Sequence, residues 1–153
     1  MKLAEALQER SDLNTKISEL KGRLENNALV QEGEEPAEDP AALLKELDAA
    51  TARLTYLISC INKTNCRTVA DGKTLTDIIA QKDILSVKVN ILRNLISAAS
   101  RRTNRYAQTE IKILSTVNVR DLQKQADDIS AEIRKLDNLL QASNWSTDLI
   151  ENG

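Results

Sequence analysis

Histidine and phenylalanine are absent from this 153-residue chain, and Tyr56, Tyr106 and Trp145 are its only aromatic residues. Without an imidazole the chain lacks the usual near-neutral acid or base and the commonest metal ligand. Ser-His, Cys-His and His-metal mechanisms are therefore excluded. Cysteine occurs only as Cys60 and Cys66. Six residues apart on one helix, the two would sit on different faces and more than about 7 Å apart along the axis. They read as reduced thiols, and a zinc site would need two further soft ligands that the chain does not supply. An excess of basic charge is missing too. The net charge is -2 and the isoelectric point near 5.3, so no nucleic-acid partner is expected. No apolar run approaches the roughly 18 residues of a membrane helix, and the first ten residues hold none of signal-peptide length. These absences predict a cytoplasmic protein with no membrane span, no cofactor and no bound metal.

What is present is leucine, isoleucine and charge. Leu and Ile number 34 together, within 41% hydrophobic and 29% charged residues. Such a core suits long packed helices better than a sheet enzyme, and the length suits one domain or a pair of long helical hairpins. Four repeats with alternating spacings of three and four carry this reading. The first is Leu3, Ala6, Arg10, Leu13, Ile17, Leu20 and Leu24. The second is Leu43, Leu47, Ala50, Leu54, Leu57 and Ile61. The third is Leu75, Ile78, Lys82, Leu85, Val89, Leu92, Ile96 and Ala99. The fourth is Val119, Leu122, Ala126, Ile129, Ile133, Leu136 and Leu140.

Boundary residues agree with the repeats. Asp39 before Pro40 is an N-cap followed by proline at the first helical position. Thr74 with Asp77, and Asn118 with Asp121, resemble capping boxes. Gly72 supplies a turn before the third repeat, and both prolines lie outside all four. The predicted fold is all-α: an antiparallel four-helix bundle with coiled-coil-like seams, as a single domain over 1–153. Helices are expected at about 2–26, 40–65, 74–102 and 119–142. The short second connection suits antiparallel neighbours. The long first and third connections hold β-prone runs, which predict a short two-stranded β ribbon at one end, residues 28–32 pairing with 110–117.

The candidate site residues fall in two groups. Arg10 and Lys82 interrupt apolar repeats at similar depth, and a buried unpaired charge costs several kcal/mol. They are expected to form a buried polar layer with Asp83 as first partner, while Glu132 and Asp137 reach a similar height. That layer either fixes register or, opened to solvent, binds a small anion or supports an enzymatic site. Asn62, Thr64 and Asn65 form a polar cluster late in the second helix that suits either capping or a polar ligand. Ala70-Asp71-Gly72-Lys73-Thr74 contains the end of a phosphate-loop motif. The glycine five positions earlier is replaced by Arg67, and a helix precedes the string where a strand is needed, so it reads as turn and cap. Glu32, Glu34, Glu35, Glu38 and Asp39 on one connection, and Arg101, Arg102, Arg105 and Lys112 on another, are expected to neutralise each other within or between subunits.

Several strings are similar to a known family: Ala28-Leu29-Val30-Gln31-Glu32-Gly33, Pro36, Glu38-Asp39-Pro40, Ile61-Asn62-Lys63-Thr64-Asn65, Thr109-Glu110-Ile111-Lys112 and Asn144-Trp145. Together they resemble the bacterial septicolysin family over nearly the whole chain. The resemblance implies a haemolysin-like, pore-forming toxin. The residues themselves favour a non-enzymatic helical protein that self-associates as a homo-oligomer. Leu44, Ile58, Ile79, Leu95 and Leu139 lie off the repeats and widen the apolar stripes beyond one bundle's seam.

Overall fold

The computed structural model describes residues 1–101 and 111–151. Among the described residues the elements run α1 (Leu3–Asn26), α2 (Pro40–Arg67), β1 (Val69–Ala70), β2 (Lys73–Thr74), α3 (Leu75–Ala99) and α4 (Val119–Ser146). The chain is all-α with a short two-stranded antiparallel ribbon, the expected fold class. It divides into two compact units, residues 1–74 with 141–153, and residues 75–140.

In the first unit α1 and α2 pair antiparallel. Ion pairs join Glu9 to Arg53, Lys16 to Glu46 and Arg23 to Glu38, so the partner number falls as the α1 number rises. Leu3, Ala6 and Leu20 of the first repeat, and Leu43, Ala50, Leu57 and Ile61 of the second, are buried. Each large aliphatic side chain removed from water in this way contributes about 1.5–3 kcal/mol.

The first connection folds back on this hairpin. Asn27 Nδ2 donates to the Arg23 carbonyl at 2.8 Å, and Asn27 Oδ1 accepts from the Glu38 amide at 3.0 Å. The Arg23 Nε then reaches both Glu38 oxygens at 3.1 and 3.0 Å. Glu38 thus finds its cation on α1. Asp39 Oδ1 accepts from the Ala41 amide at 3.0 Å, so Asp39 caps α2 ahead of Pro40.

In the second unit α3 and the facing part of α4 also run antiparallel. Lys82 Nζ meets Asp137 at 2.9 Å and Arg93 donates to Ser130 Oγ at 3.0 Å. Leu75, Ile78, Val89, Ala126, Leu136 and Leu140 are buried. Asn118 Oδ1 accepts from the Asp121 amide at 3.2 Å, which caps the start of α4. In both units every apolar member of the four repeats is buried or half-buried.

The ribbon does not lie where it was expected. Val69 pairs with Thr74 and Ala70 with Lys73, closed by the two-residue turn Asp71-Gly72. Both turn residues have positive φ, 51° and 75°, as a two-residue hairpin turn with matching twist requires. Residues 28–32 and 111–117 carry no strand; residue 110, like Arg102, Arg105 and Tyr106, lies outside the described residues. Closing a two-residue loop restricts far less chain than joining two distant connections.

Candidate functional site

A row of engaged polar side chains in the first unit lies on one face of α2. Arg53, Tyr56, Cys60 and Thr64 recur at spacings of three, four and four, which stacks them along the helix. At the near end Arg53 holds Glu9 of α1 in a two-point pair, with Nε at 2.7 Å and Nη2 at 2.8 Å. The guanidinium also lies over the Tyr56 ring, 5.5 Å from its centroid. Hydrogen bonding from Arg53 holds the Glu9 carboxyl below its ordinary range, and Glu9 raises Arg53 in turn.

The other three residues grip the C-terminal segment. Tyr56 Oη donates to the Glu151 carbonyl at 2.9 Å, and Cys60 Sγ approaches the same oxygen at 3.5 Å. Thr64 is fully buried. Its Oγ1 donates to the Cys60 carbonyl at 2.8 Å and accepts from the Ile150 amide at 2.9 Å. Hydrogen bonding with Cys60, helped by burial, pushes the Tyr56 phenol up from its ordinary value. From the other side the Leu149 amide donates to the Met1 carbonyl and the Leu3 amide to the Thr147 carbonyl, both at 2.9 Å. Lys2 Nζ reaches Asp148 at 2.7 Å and depresses its pKa. The two chain ends are thereby tied to each other and to α2.

This face is a clamp, since every polar group on it is already engaged within the protein. Beside it a depression of about 370 Å³ is lined in part by Glu5, Gln8, Asp12 and Trp145. Trp145 is 65% exposed there. No cluster of three or more metal-ligating side chains occurs among the described residues.

The expected Arg10, Lys82 and Asp83 layer is not a buried layer. Arg10 and Asp83 are exposed and Lys82 is half-buried. Lys82 takes its carboxylate from Asp137 and not from Asp83. A flexible lysine stem covers apolar surface while its charge stays at the rim, so the interruption of the repeat needs no buried countercharge. The second group separates as well. Thr64 is buried and bonded, Asn65 is half-buried and Asn62 is exposed, so they form no common polar cluster. Sequence reasoning missed the clamp because Thr64's partner lies 86 residues away. The spacing of Arg53, Tyr56, Cys60 and Thr64 was the one available signal.

A further feature lies in the second unit. On α3, Ile84 is 67%, Val87 53%, Ile91 61% and Leu95 39% exposed. With exposed Ala80 and Ala98 they form a second apolar stripe, about 135° around the helix from the buried repeat by 100° per residue. Of the off-repeat residues expected to remain outside the core, Leu44, Ile58 and Leu95 are exposed, while Ile79 and Leu139 are half-buried.

Comparison with known proteins gives the chain its family. Residues 10–149 match the model of the Family of unknown function (DUF6847), and the chain belongs to that family. It is also similar to a solved structure, the crystal structure of a functionally unknown conserved protein from Corynebacterium diphtheriae. The two share 39% identity over 97% of this chain and 98% of that one, with a TM-score of 0.91. No curated protein matches the chain. Neither similarity points to septicolysin, so that resemblance is corrected, and the pore-forming activity it implied loses its basis. Among the described residues, no helix is long and apolar enough to cross a membrane.

Proposed function

We propose that this member of a family of unknown function is a non-enzymatic helical protein that works by self-association. The observation that carries this reading is the second stripe of α3. Four large aliphatic residues at helical spacing stand between 39% and 67% exposed. A contiguous exposed apolar strip is uncommon on a monomer and is most often covered by a second copy through a two-fold axis. The engaged state of the α2 clamp and the salt-bridged state of Lys82 favour a structural role over a catalytic one. Cys60, buried, and Cys66, exposed, are thiols and not a disulfide, which suits the reducing cytoplasm.

Sedimentation or light scattering on the purified chain tests the reading. A mass of twice 17.0 kDa or more at tens of micromolar is the expected result. A mass of 17.0 kDa across that range overturns it.

A further inference from the structure

We infer that α3 pairs with α3 of a second copy as a parallel, in-register two-stranded coiled coil. The inference rests on the self-association reading above and names its surface and geometry. The exposed stripe fits a heptad in which Ile84, Ile91 and Ala98 take the a positions and Ala80, Val87 and Asn94 the d positions. Isoleucine at a, as at Ile84 and Ile91, is the residue type found there in two-stranded parallel coils. Buried Val89 falls at f, and half-buried Leu85 and Leu92 fall at b, in this frame. The face used against α4 and the face offered to a partner therefore lie on different sides of one helix.

Charge decides between the two directions of pairing. In a parallel coil a g residue meets the e residue of the next heptad on the partner, five positions on. Asp83 is at g and Lys88 at e, five apart and both exposed. Among the described residues no ion pair engages either one. Two-fold symmetry makes this contact twice, aspartate to lysine each time. An antiparallel pairing centred on the same stripe joins e to e and sets Lys88 against the Lys88 of the second copy. It gives Asp83 no cation. The stripe from Ala80 to Ala98 extends over about 27 Å at 1.5 Å per residue, close to three heptads.

The test uses the full chain and four changes on exposed α3 positions. Ile91→Glu should raise the dimer dissociation constant at least tenfold. Asp83→Lys should weaken the dimer, and adding Lys88→Asp should restore it, because the swapped charges meet again. Ile84→Cys in a Cys66→Ser background should cross-link to itself on mild oxidation. In an antiparallel pair the two positions would stand about 15 Å apart along the axis and would not cross-link. Circular dichroism confirms that each variant remains helical. A wild-type dimer whose mass is unchanged by Ile91→Glu, with no Ile84→Cys product, overturns the α3 pairing but leaves self-association standing. A dimer lost with Ile91→Glu, but lacking both charge-swap rescue and the cross-link, overturns the parallel register. A wild-type monomer overturns the pairing and the reading beneath it.

Discussion

At the scale of single residues, Thr64 does more than its small side chain suggests. It is buried, and its hydroxyl both donates to the Cys60 carbonyl and accepts from the Ile150 amide. Replacing it with valine keeps the shape and strands the Ile150 N–H, whose desolvation costs about 1–3 kcal/mol. Thr64→Val should therefore lower stability to urea by that amount, and faster hydrogen exchange at the Ile150 amide is the local check. Titrations in the first unit have defined signs. Glu9, Glu38 and Asp148 have carboxyl pKa values lowered by Arg53, Arg23 and Lys2 respectively. A lowered folded-state value means the unfolded chain takes up protons first, so their contribution is present above the ordinary carboxylate range and is lost as pH falls through and below it. Tyr56 is shifted the other way. Its contribution holds below the ordinary tyrosine value near 10 and is lost as pH rises past it. Denaturant midpoints should be flat around neutrality and fall at both extremes. Tyr56→Phe should reduce the alkaline fall, and an unchanged alkaline limb would refute the assignment.

At the scale of elements, the helices were legible and the ribbon was not. A repeat of threes and fours reports one helix's own burial. Nothing remote is needed to read it, so Leu57, Ile61 and Leu136 could be placed in the core from spacing alone. The ribbon was assigned to β-prone runs in two distant connections, while the local signal was Asp71-Gly72, a dipeptide suited to two positive φ angles. In the sequence Gly72 marks a turn but not which residues the turn pairs. The outer stripe of α3 was also readable, since it repeats the same spacing displaced from the first, yet only Leu95 of it was singled out. The Thr64 clamp was not readable, because no local pattern announces a partner 86 residues on. Two glycine substitutions separate the roles. Gly22 lies within α1 at ordinary φ with no atom within 4 Å of an added Cβ, so Gly22→Ala should stabilise by about 0.5–1 kcal/mol. Gly72 has φ of 75°, so Gly72→Ala should destabilise by about 1–2 kcal/mol even though space is open around it. Paired thermal melts read both signs, and a destabilised Gly22→Ala would mean that α1 is not regular there.

For the whole molecule, the surface of α3 sets the expectation. Burying an exposed residue in a second copy stabilises the native state alone, because the unfolded chain offers no paired helix. The apparent stability then gains by mass action as concentration rises. A tenfold increase in protein well above the dissociation constant adds about 1.4 kcal/mol per mole of dimer formed. The thermal midpoint of the wild-type chain should therefore climb between one and one hundred micromolar. Ile91 is 61% exposed and outside both cores, so Ile91→Glu should leave the monomer's own stability within about 0.5 kcal/mol. Its midpoint should instead be independent of concentration, meeting the wild-type value at high dilution. Two parallel flat lines would show that the stripe on α3 stays open to water. A wild-type slope that Ile91→Glu preserves would place the contact on another face.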